Sequence, residues 1–449
     1  MAAAAVIAAL AVGSAAATGA KAADYVPGQI VIGYEAAQSA TVARDLSTRM
    51  GVRQAAPAPA PGEQIVKVPD GVTVAQEAAR LRRQPGVAYA VPNYIAHAAG
   101  SWTPDDPGPR GHASGGWQQA QWNFLAPAGV NAPAAWANLI ADHRPGGKGV
   151  TVAILDTGVA YRNWKNFRKA PDFAGTKFVH PYDFVANNGF PLDREGHGTF
   201  VAGVVAEATN NRLGLTGIAY GASIMPVRVL DSDGTGDATT ISKGIRYAAD
   251  HGAQVINLSL EFDVSINSGE IPGILSAIRY AHRKGALVVA ASGNEGIEQI
   301  AYPARAPDVV AVGATTRDRC LADYSNGGRR LALVAPGGGQ DSTLSNDPNC
   351  HPTRNLPNIV QETFRNPTNP DRFGYPRDWF GTSMAAPHVA AVAALVIASG
   401  VLGRHPSPDR VLTRLEQTAV PLGGSKPNSN YGYGLVDAGA ATSSLPPPV

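Results

Sequence analysis

Val150-Thr-Val-Ala-Ile-Leu-Asp-Thr-Gly158 is the stretch of sequence that decides the fold. Its apolar residues follow one another without polar alternation, which is typical of a parallel strand covered on both faces. Similar apolar runs, with helical stretches at 238–250 and 272–284 between them, recur at 223–229, 253–258, 286–291 and 309–312. Strands that alternate with helices predict an α/β domain in three layers, with a mostly parallel sheet flanked by helices.

Functional side chains stand at the ends of these predicted elements. Asp156 ends the first strand, His197 lies between two glycines at the start of an apolar helix, and Ser383 opens a second helix over 384–399. In an open parallel sheet, ligands bind beyond the carboxyl ends of the strands. We therefore expect the chemistry of the chain at this edge, carried by three groups in the order Asp, His, Ser.

These three residue types form the inventory of one reaction. A serine hydroxyl becomes a good nucleophile when a neutral imidazole takes its proton, and a carboxylate fixes the imidazole tautomer and stabilises the imidazolium. The developing oxyanion needs donors, which the backbone N–H groups at the start of the Ser383 helix can supply. Asn294, in Ala291-Ser-Gly-Asn294 after a predicted strand, is the natural side-chain donor.

Each residue taken alone has an ordinary structural interpretation. Asp156 and Asn294 suit turns, and His197 and Ser383 suit the first turn of a helix. The ordinary interpretation fails only for the set, because independent turn residues have no reason to form a complete catalytic inventory. It holds for His388, which lies just over one helical turn past Ser383 and is interpreted as a packing residue.

The segments Asp156-Thr-Gly158, Gly196-His-Gly-Thr199 and Gly381-Thr-Ser-Met-Ala385 resemble the motifs of the subtilisin-like serine proteases, the subtilases. The resemblance covers about 121–441 and includes Asn257-Leu-Ser-Leu260, Val334-Ala-Pro-Gly337 and Gly432-Tyr-Gly-Leu-Val-Asp437. It implies a subtilisin-like fold and a serine endopeptidase that needs no cofactor for catalysis. The implied catalytic residues are Asp156, His197 and Ser383, with Asn294 in the oxyanion hole.

The resemblance also implies how a peptide would bind. The substrate would add as a strand beside Ser259 and Leu260 and beside a second segment near Gly234. The pocket for the residue before the scissile bond would be walled by three consecutive residues, Ala291, Ser292 and Gly293. Glu261 and Phe262 stand where paired glycines are common in the family. Glu261 would narrow the cleft or bring negative charge to it, so we expect basic or small side chains to be preferred over large aromatic ones.

Calcium is the usual structural ion of the family. Gln121, Asp172 and Asn211 align with a calcium-binding loop by resemblance, and their oxygen atoms are ligands that Ca²⁺ prefers. The stretch between Asp156 and Asp172 is longer than the family pattern. A surface loop without metal is therefore an equally open interpretation.

The N-terminal quarter of the chain predicts an exported zymogen. Residues 1–22 fit a signal peptide that ends in the small-x-small pattern Ala20-Lys-Ala22, although the positive n-region is missing and a disordered Ala-rich terminus is the alternative. Residues 23–98 read as a small α+β domain that resembles the family's inhibitory propeptide, and 99–120 as an exposed Pro/Gly linker. The catalytic domain would span 121–442, followed by a tail at 443–449. The expected partners are protein substrates and the protein's own propeptide, in an extracellular or periplasmic location.

Composition narrows the class of protein further. Thirty-seven basic and 35 acidic residues give a net charge of +2, which provides no basic field for nucleic acid or an anionic membrane. The apolar run at 389–398 is too short to span a bilayer. Two cysteines are too few for an all-thiolate zinc site, and Cys320 and Cys350 are either a disulfide or free thiols. An insertion at 338–378, rich in Pro and Asn, is expected to be functional or mobile.

Three other classes of protein are the alternatives. A lipase-type hydrolase would have a Gly-x-Ser-x-Gly elbow and the order Ser, Asp, His, whereas Ala385 occupies the second glycine position. A dinucleotide-binding protein would have a Gly-x-Gly-x-x-Gly turn after its first strand, which Asp156-Thr-Gly158 does not begin. A catalytically inactive subtilase-like binding module stays open on sequence alone.

Overall fold

The computed structural model describes residues 25–35, 39–56, 61–94, 102–111, 115–366 and 369–444. The predicted signal peptide at 1–22 and the end of the predicted tail lie outside these residues. The chain divides into two compact units, Met1–Gly100 and Ser101–Val449.

The first unit is a four-stranded antiparallel sheet with two helices. Its elements are β1 (Tyr25–Tyr34), α1 (Ser39–Met50), β2 (Arg53–Ala56), β3 (Glu63–Lys67), α2 (Val74–Arg82) and β4 (Val87–Tyr94), with strand order β2-β3-β1-β4. Thr73 caps α2 in a capping box with Gln76. Ile30, Ile32 and Leu81 are fully buried between the sheet and the helices. The small α+β domain predicted at 23–98 is confirmed as a fold.

The second unit contains a parallel sheet and the longer helices. Its elements are α3 (Ala132–Ala141), β5 (Thr151–Asp156), β6 (Lys177–Phe178), β7 (Tyr182–Asp183), α4 (His197–Ala206), β8 (Ser223–Arg228), α5 (Ala238–Asp250), β9 (Val255–Leu258), α6 (Pro272–Arg283), β10 (Leu287–Ala291), β11 (Val309–Thr315), β12 (Leu333–Pro336), β13 (Thr363–Phe364), β14 (Phe373–Gly374), α7 (Thr382–Ser399), α8 (Pro408–Thr418) and α9 (Ala438–Thr442).

The main sheet has the order β12-β11-β10-β9-β5-β8-β6, and β7 also pairs with β8. All pairings between its described strands are parallel. The five strands and the two helices α5 and α6 predicted from sequence are confirmed, within one to three residues at their ends. Because the pairs are parallel, the carboxyl ends of β5, β9 and β10 meet at one edge of the sheet.

The sheet separates two hydrophobic layers. Val152 and Ile154 of β5 belong to the hydrophobic layer that includes α3, α4, α7 and α8, whereas Ala153 and Leu155 belong to the layer that includes α5 and α6. Both faces are covered, which is why the strand sequences are continuously apolar. The predicted three-layer α/β architecture is confirmed.

Helix α7 is the central helix of this unit. It has 18 residues, longer than the apolar run noted at 389–398, and is long and apolar enough to cross a membrane. However, 89% of its apolar window is buried inside the fold, so α7 serves as a core helix here. Gly400 ends it with a positive φ of 74°, a backbone conformation that favours glycine.

The segment expected to be an exposed linker is partly built into the second unit. Trp117 is fully buried and its Nε1 donates to the Pro104 carbonyl at 3.1 Å. The buried Asp106 carboxylate accepts the backbone N–H groups of Asn210 and Asn211 at 2.8 and 3.0 Å. The prediction of exposure is therefore wrong for the buried residues of this segment, because non-local hydrogen bonds and aromatic packing anchor its irregular backbone. It holds for the exposed residues Thr103, Arg110, Gly111, Gln118 and Gln119.

The insertion at 338–378 is also partly core. Its strands β13 and β14 pair with each other, and the Thr363 hydroxyl donates to the carbonyl of Gly196 at 2.5 Å. Because Gly196 precedes His197, the insertion supports the start of α4. Cys350, within the insertion, forms a disulfide with Cys320, so the described cysteines are not free thiols.

Candidate active site

Asp156 and His197 meet at the carboxyl edge of the sheet. His197 Nδ1 donates to Asp156 Oδ1 at 2.7 Å, and the same oxygen accepts the backbone N–H of Thr157 at 2.7 Å. Asp156 is fully buried, and its Oδ2 has no hydrogen-bond partner among the described residues. The carboxylate therefore fixes the imidazole with Nδ1 protonated and leaves Nε2 free to accept a proton.

A buried polar network holds α4, and with it His197, in this position. Asp193 accepts hydrogen bonds from the hydroxyls of Thr157 and Thr199 at 2.9 and 2.6 Å. Thr157 Oγ1 in turn accepts the backbone N–H of Gly198 at 2.9 Å. The end of β5 and the first turn of α4 are thus linked through Asp193.

Three carboxylates surround the imidazole and set its protonation. Burial on its own lowers the pKa of His197, but the negative charges of Asp156, Glu195 and Asp193 outweigh burial and raise this pKa to about 9. Glu195 Oε2 also accepts the backbone N–H of His197 at 2.6 Å. The imidazole is consequently neutral, and able to accept a proton, mainly in alkaline solution.

Ser383 is the second residue of α7 and lines the same cavity as His197. Its hydroxyl donates to the carbonyl of Ser259 at 3.2 Å, rather than to the imidazole. The Ser259 hydroxyl donates back to the Ser383 carbonyl at 2.8 Å and accepts from Asn257 Nδ2 at 2.9 Å. The structure therefore brings Asp156 and His197 into hydrogen-bond contact and Ser383 to their cavity, with the serine rotamer turned to Ser259.

Asn294 lies beside the start of α7. Its Oδ1 accepts from the backbone N–H and the hydroxyl of Thr382 at 2.8 and 3.0 Å, which orients the amide. Its Nδ2 donates to Glu261 Oε1 at 3.2 Å. The first N–H groups of a helix have no partner within the helix, so the Ser383 N–H is a free donor in α7. Together with Asn294 Nδ2, it provides a second hydrogen-bond donor at this edge of the sheet.

The cavity that reaches Ser383 has a volume of about 350 Å³. Of the predicted substrate-binding residues, it is lined by Gly234, Ser259, Leu260 and Glu261. Ala291, Ser292 and Gly293 are buried and do not line it. For Gly293 the reason is steric: the Asn326 side chain and Glu261 Oε2, the latter at 2.9 Å, lie against the position that a Cβ on Gly293 would occupy, so both side chains cover this glycine.

The residues aligned with a calcium loop form a hydrogen-bonded network. Asn211 Nδ2 donates to Asp172 Oδ1 at 2.9 Å, and Asp172 Oδ2 accepts the Leu215 N–H at 2.7 Å. Gln121 Oε1 accepts from the backbone and hydroxyl of Thr216 at 3.0 and 3.1 Å. Asn211 turns its nitrogen to Asp172, while its own oxygen accepts the Leu213 N–H at 2.9 Å. Because Ca²⁺ needs six to eight converging oxygens, this arrangement does not fit a calcium site.

His388 is a structural residue, as expected. It is fully buried, its Nδ1 donates to the Met384 carbonyl at 2.8 Å, and its Nε2 lies 2.8 Å from Asn123 Nδ2. Burial lowers its pKa to about 4, so the ring is neutral at pH 7. It packs the first turns of α7 against the segment that contains Asn123.

Two residues that organise the site, Asp193 and Glu195, were not predicted from the sequence. They stand four and two positions before His197, and their acidity beside a predicted base was a usable signal. Ser259 was predicted in the substrate cleft, but its hydrogen bonds to Ser383 were not. That contact joins residues 124 positions apart, so no local sequence pattern predicts it.

The fold and the site define a serine hydrolase built on a three-layer α/β domain. The profile of the subtilase family matches residues 147–434, and that of the fervidolysin N-terminal prodomain matches residues 12–93. The chain belongs to the subtilase family and is a subtilisin-like serine protease with an N-terminal prodomain.

Relatives of known name support this assignment. The chain is 36% identical over 352 residues to a thermophilic serine proteinase of Bacillus sp. (strain AK1), covering 78% of this chain and 72% of that protein. It is 38% identical over 299 residues to thermitase of Thermoactinomyces vulgaris, covering 67% and 89%. Among solved structures, a protease of Pseudoalteromonas arctica superposes with a TM-score of 0.60 at 30% identity, covering 76% of this chain and 99% of that one.

Proposed function

We propose that the protein is a secreted serine endopeptidase, made as a self-processing zymogen, whose catalytic residues are Asp156, His197 and Ser383. The observation that carries the proposal is the cavity at the carboxyl edge of the sheet. It exposes Ser383 beside an imidazole that is hydrogen-bonded to a buried carboxylate. A side-chain amide, Asn294, is anchored at the start of the same helix. Catalysis in this proposal uses no cofactor.

The reaction begins with rotation of the Ser383 hydroxyl from the Ser259 carbonyl toward His197. His197 Nε2 takes the hydroxyl proton while Oγ attacks the peptide carbonyl, and Asp156 stabilises the imidazolium. Asn294 Nδ2 and the Ser383 N–H stabilise the oxyanion. His197 then gives its proton to the leaving amine, and water hydrolyses the acyl-enzyme by the same route.

The first unit is proposed to act as an intramolecular inhibitor and folding aid. Its match to a prodomain supports this role, and a sheet made of non-local parallel pairs folds slowly, so a folding aid has a physical purpose. Export is part of the proposal because the Cys320–Cys350 disulfide suits an oxidising compartment.

The test is labelling with a fluorophosphonate, mapped by mass spectrometry. We expect the label on Ser383, and we expect Ser383→Ala to abolish both peptide hydrolysis and removal of the N-terminal unit. Ser399→Ala, at the other end of α7, is the matched control and should keep both activities. Undiminished turnover in Ser383→Ala would overturn the assignment. A folded protein that takes no label would indicate the inactive binding module instead.

A further inference from the structure

Glu261 occupies a position of chemical interest outside the three catalytic residues. It follows β9 and lines the cavity that reaches Ser383. Its Oε1 accepts a hydrogen bond from Asn294 Nδ2, whereas its Oε2 is buried and has no hydrogen-bond partner among the described residues. The side chain and backbone of Asn294 stabilise the carboxylate in part, but a buried oxygen without a well-aligned donor is still costly, because it has lost its hydrating water.

The rest of the cavity supplies no positive partner for this oxygen. Among the described residues that line it, the charged or titratable ones are Glu195, His197 and Glu261, and neither Lys nor Arg is present. His197 is already paired with Asp156. The loop next to Glu261 adds another acid, Glu295, and burial together with this acid raises the pKa of Glu261 to about 7. The cavity therefore has a negative potential that favours one cationic group of a ligand.

We propose that Glu261 is the specificity-determining residue of the cleft and pairs with a Lys or Arg side chain of the substrate. This inference rests on the proposed function, because it uses Ser383 and Asn294 in their proposed roles. Asn294 would hold the carbonyl oxygen that is attacked, so the nearest substrate side chain belongs to the residue that carries this carbonyl. The cation is expected at the residue immediately before the scissile bond.

The contact between Glu261 and Asn294 gives the substrate cation a second effect. Without substrate, Asn294 Nδ2 donates to the carboxylate and not to an oxyanion. A bound ammonium or guanidinium competes for the Glu261 carboxylate and weakens its hydrogen bond to Asn294 Nδ2, which becomes free to donate to the oxyanion while Thr382 still holds Oδ1. Glu261 is in this respect a positioning residue. Binding of a cationic substrate releases Asn294 Nδ2 and so completes the oxyanion hole for that same substrate.

The test compares peptides that differ only at the residue before the scissile bond, which is Lys, its uncharged analogue norleucine, Phe or Glu. At pH 9, where Glu261 is ionised, we expect wild-type kcat/KM for Lys to exceed that for norleucine by roughly tenfold or more, as for one charge-assisted pair. Glu261→Gln should reduce this ratio to about one. Glu298→Gln, which removes one exposed charge from the same loop without touching the cavity, should keep the wild-type ratio. Equal ratios in wild type and Glu261→Gln would overturn the proposal.

Two further readouts separate the inference from the proposed function. Binding of the same peptides to Ser383→Ala, followed by fluorescence anisotropy, should show the Lys preference and its loss with Glu261→Gln even if no chain hydrolyses peptides. Equal binding of the Lys and norleucine peptides to Ser383→Ala would overturn it. For the positioning role, Glu261→Ala should raise kcat for the norleucine peptide by roughly two- to threefold, because Asn294 is released. A lower kcat would contradict that role.

Discussion

Ser259 and Ser383 exchange two hydrogen bonds: the Ser259 hydroxyl donates to the Ser383 carbonyl at 2.8 Å, and the Ser383 hydroxyl donates to the Ser259 carbonyl at 3.2 Å. The first bond joins the end of β9 to the first turn of α7 and is independent of the serine rotamer. The second must break before Ser383 can reach His197. The pair therefore both positions Ser383, the proposed nucleophile, and holds its hydroxyl in a rotamer turned away from His197.

Ser259→Ala should lower activity more than its small change in volume suggests. It removes the donor to the Ser383 carbonyl and the acceptor of Asn257 Nδ2. We expect kcat/KM to fall roughly tenfold and the free energy of unfolding, measured by urea in a Ser383→Ala background, to fall by about 1–2 kcal/mol. Ser265→Ala, in an exposed loop, is the control. Unchanged kcat/KM would show that the contact does not position the nucleophile.

The pH dependence of activity should be alkaline. The reaction needs neutral His197, whose pKa is raised to about 9, so kcat/KM is expected to rise with pH to a half-maximal value near 9. Glu195→Gln removes one of the charges that raise this pKa and should lower the midpoint by roughly 0.5–1 pH unit. Steady-state kinetics between pH 6 and 10.5 measure both. A wild-type midpoint near 6.5 would contradict the electrostatic argument.

Stability should decline as the pH rises through neutrality. Burial raises the pKa of Glu362 to about 7, so the folded state holds this proton more tightly than the unfolded state. The resulting stabilisation is complete below about pH 4.5 and is lost as the pH rises past about 7. Glu362→Gln cannot ionise, and its loss of unfolding free energy between pH 5 and 8 should be smaller by about 1–2 kcal/mol. Urea titrations in the Ser383→Ala background measure this loss, and an identical loss in both chains would be contrary evidence.

Chelation should leave the melting temperature unchanged. The oxygens of Asp172, Gln121 and Asn211 already accept hydrogen bonds within the protein. We therefore expect Ser383→Ala to melt at the same temperature in EDTA and in millimolar calcium, as followed by circular dichroism. A rise of several degrees in calcium would restore the calcium assignment made from sequence.

The mature protease should begin before Trp102. Asp106 and Trp117 are buried in the second unit, and Trp102 packs edge-on against Trp136 with ring centroids 5.6 Å apart. Cleavage beyond this point would remove core side chains. N-terminal sequencing of the processed protein checks the boundary, and a stable active form that begins after Trp117 would disprove it.

Much of the fold could be predicted from the sequence, because strong local patterns of apolar residues coincide with buried strands and helices. The run at 150–156 has apolar residues on both strand faces, and the observed layers on both sides of β5 explain why. Asp156, His197 and Ser383, the proposed catalytic residues, could be selected from the sequence because each stands at the end of an element, where the chain turns at one edge of the sheet. Glycines next to His197 and Ser383 mark these turns.

Features set by distant contacts could not be predicted in this way. The Pro/Gly-rich sequence around Asp106 predicts an exposed linker. Asp106 is nevertheless buried, because its carboxylate accepts two backbone N–H groups from residues more than 100 positions away. Gly293 does not reach the cavity because the side chains of Glu261 and Asn326, both distant in sequence, cover it. The rotamer of Ser383 depends on Ser259 in the same manner. These features depend on contacts between residues far apart in the sequence, so local sequence patterns do not predict them.

The Cys320–Cys350 disulfide affects what happens when another protease molecule cleaves this chain. It closes a covalent ring of chain that spans 30 positions, including part of the surface insertion. A single nick within that ring would separate no fragment, since both new ends stay tethered through sulfur. A molecule clipped there would run as one intact band until a reducing agent splits it in two.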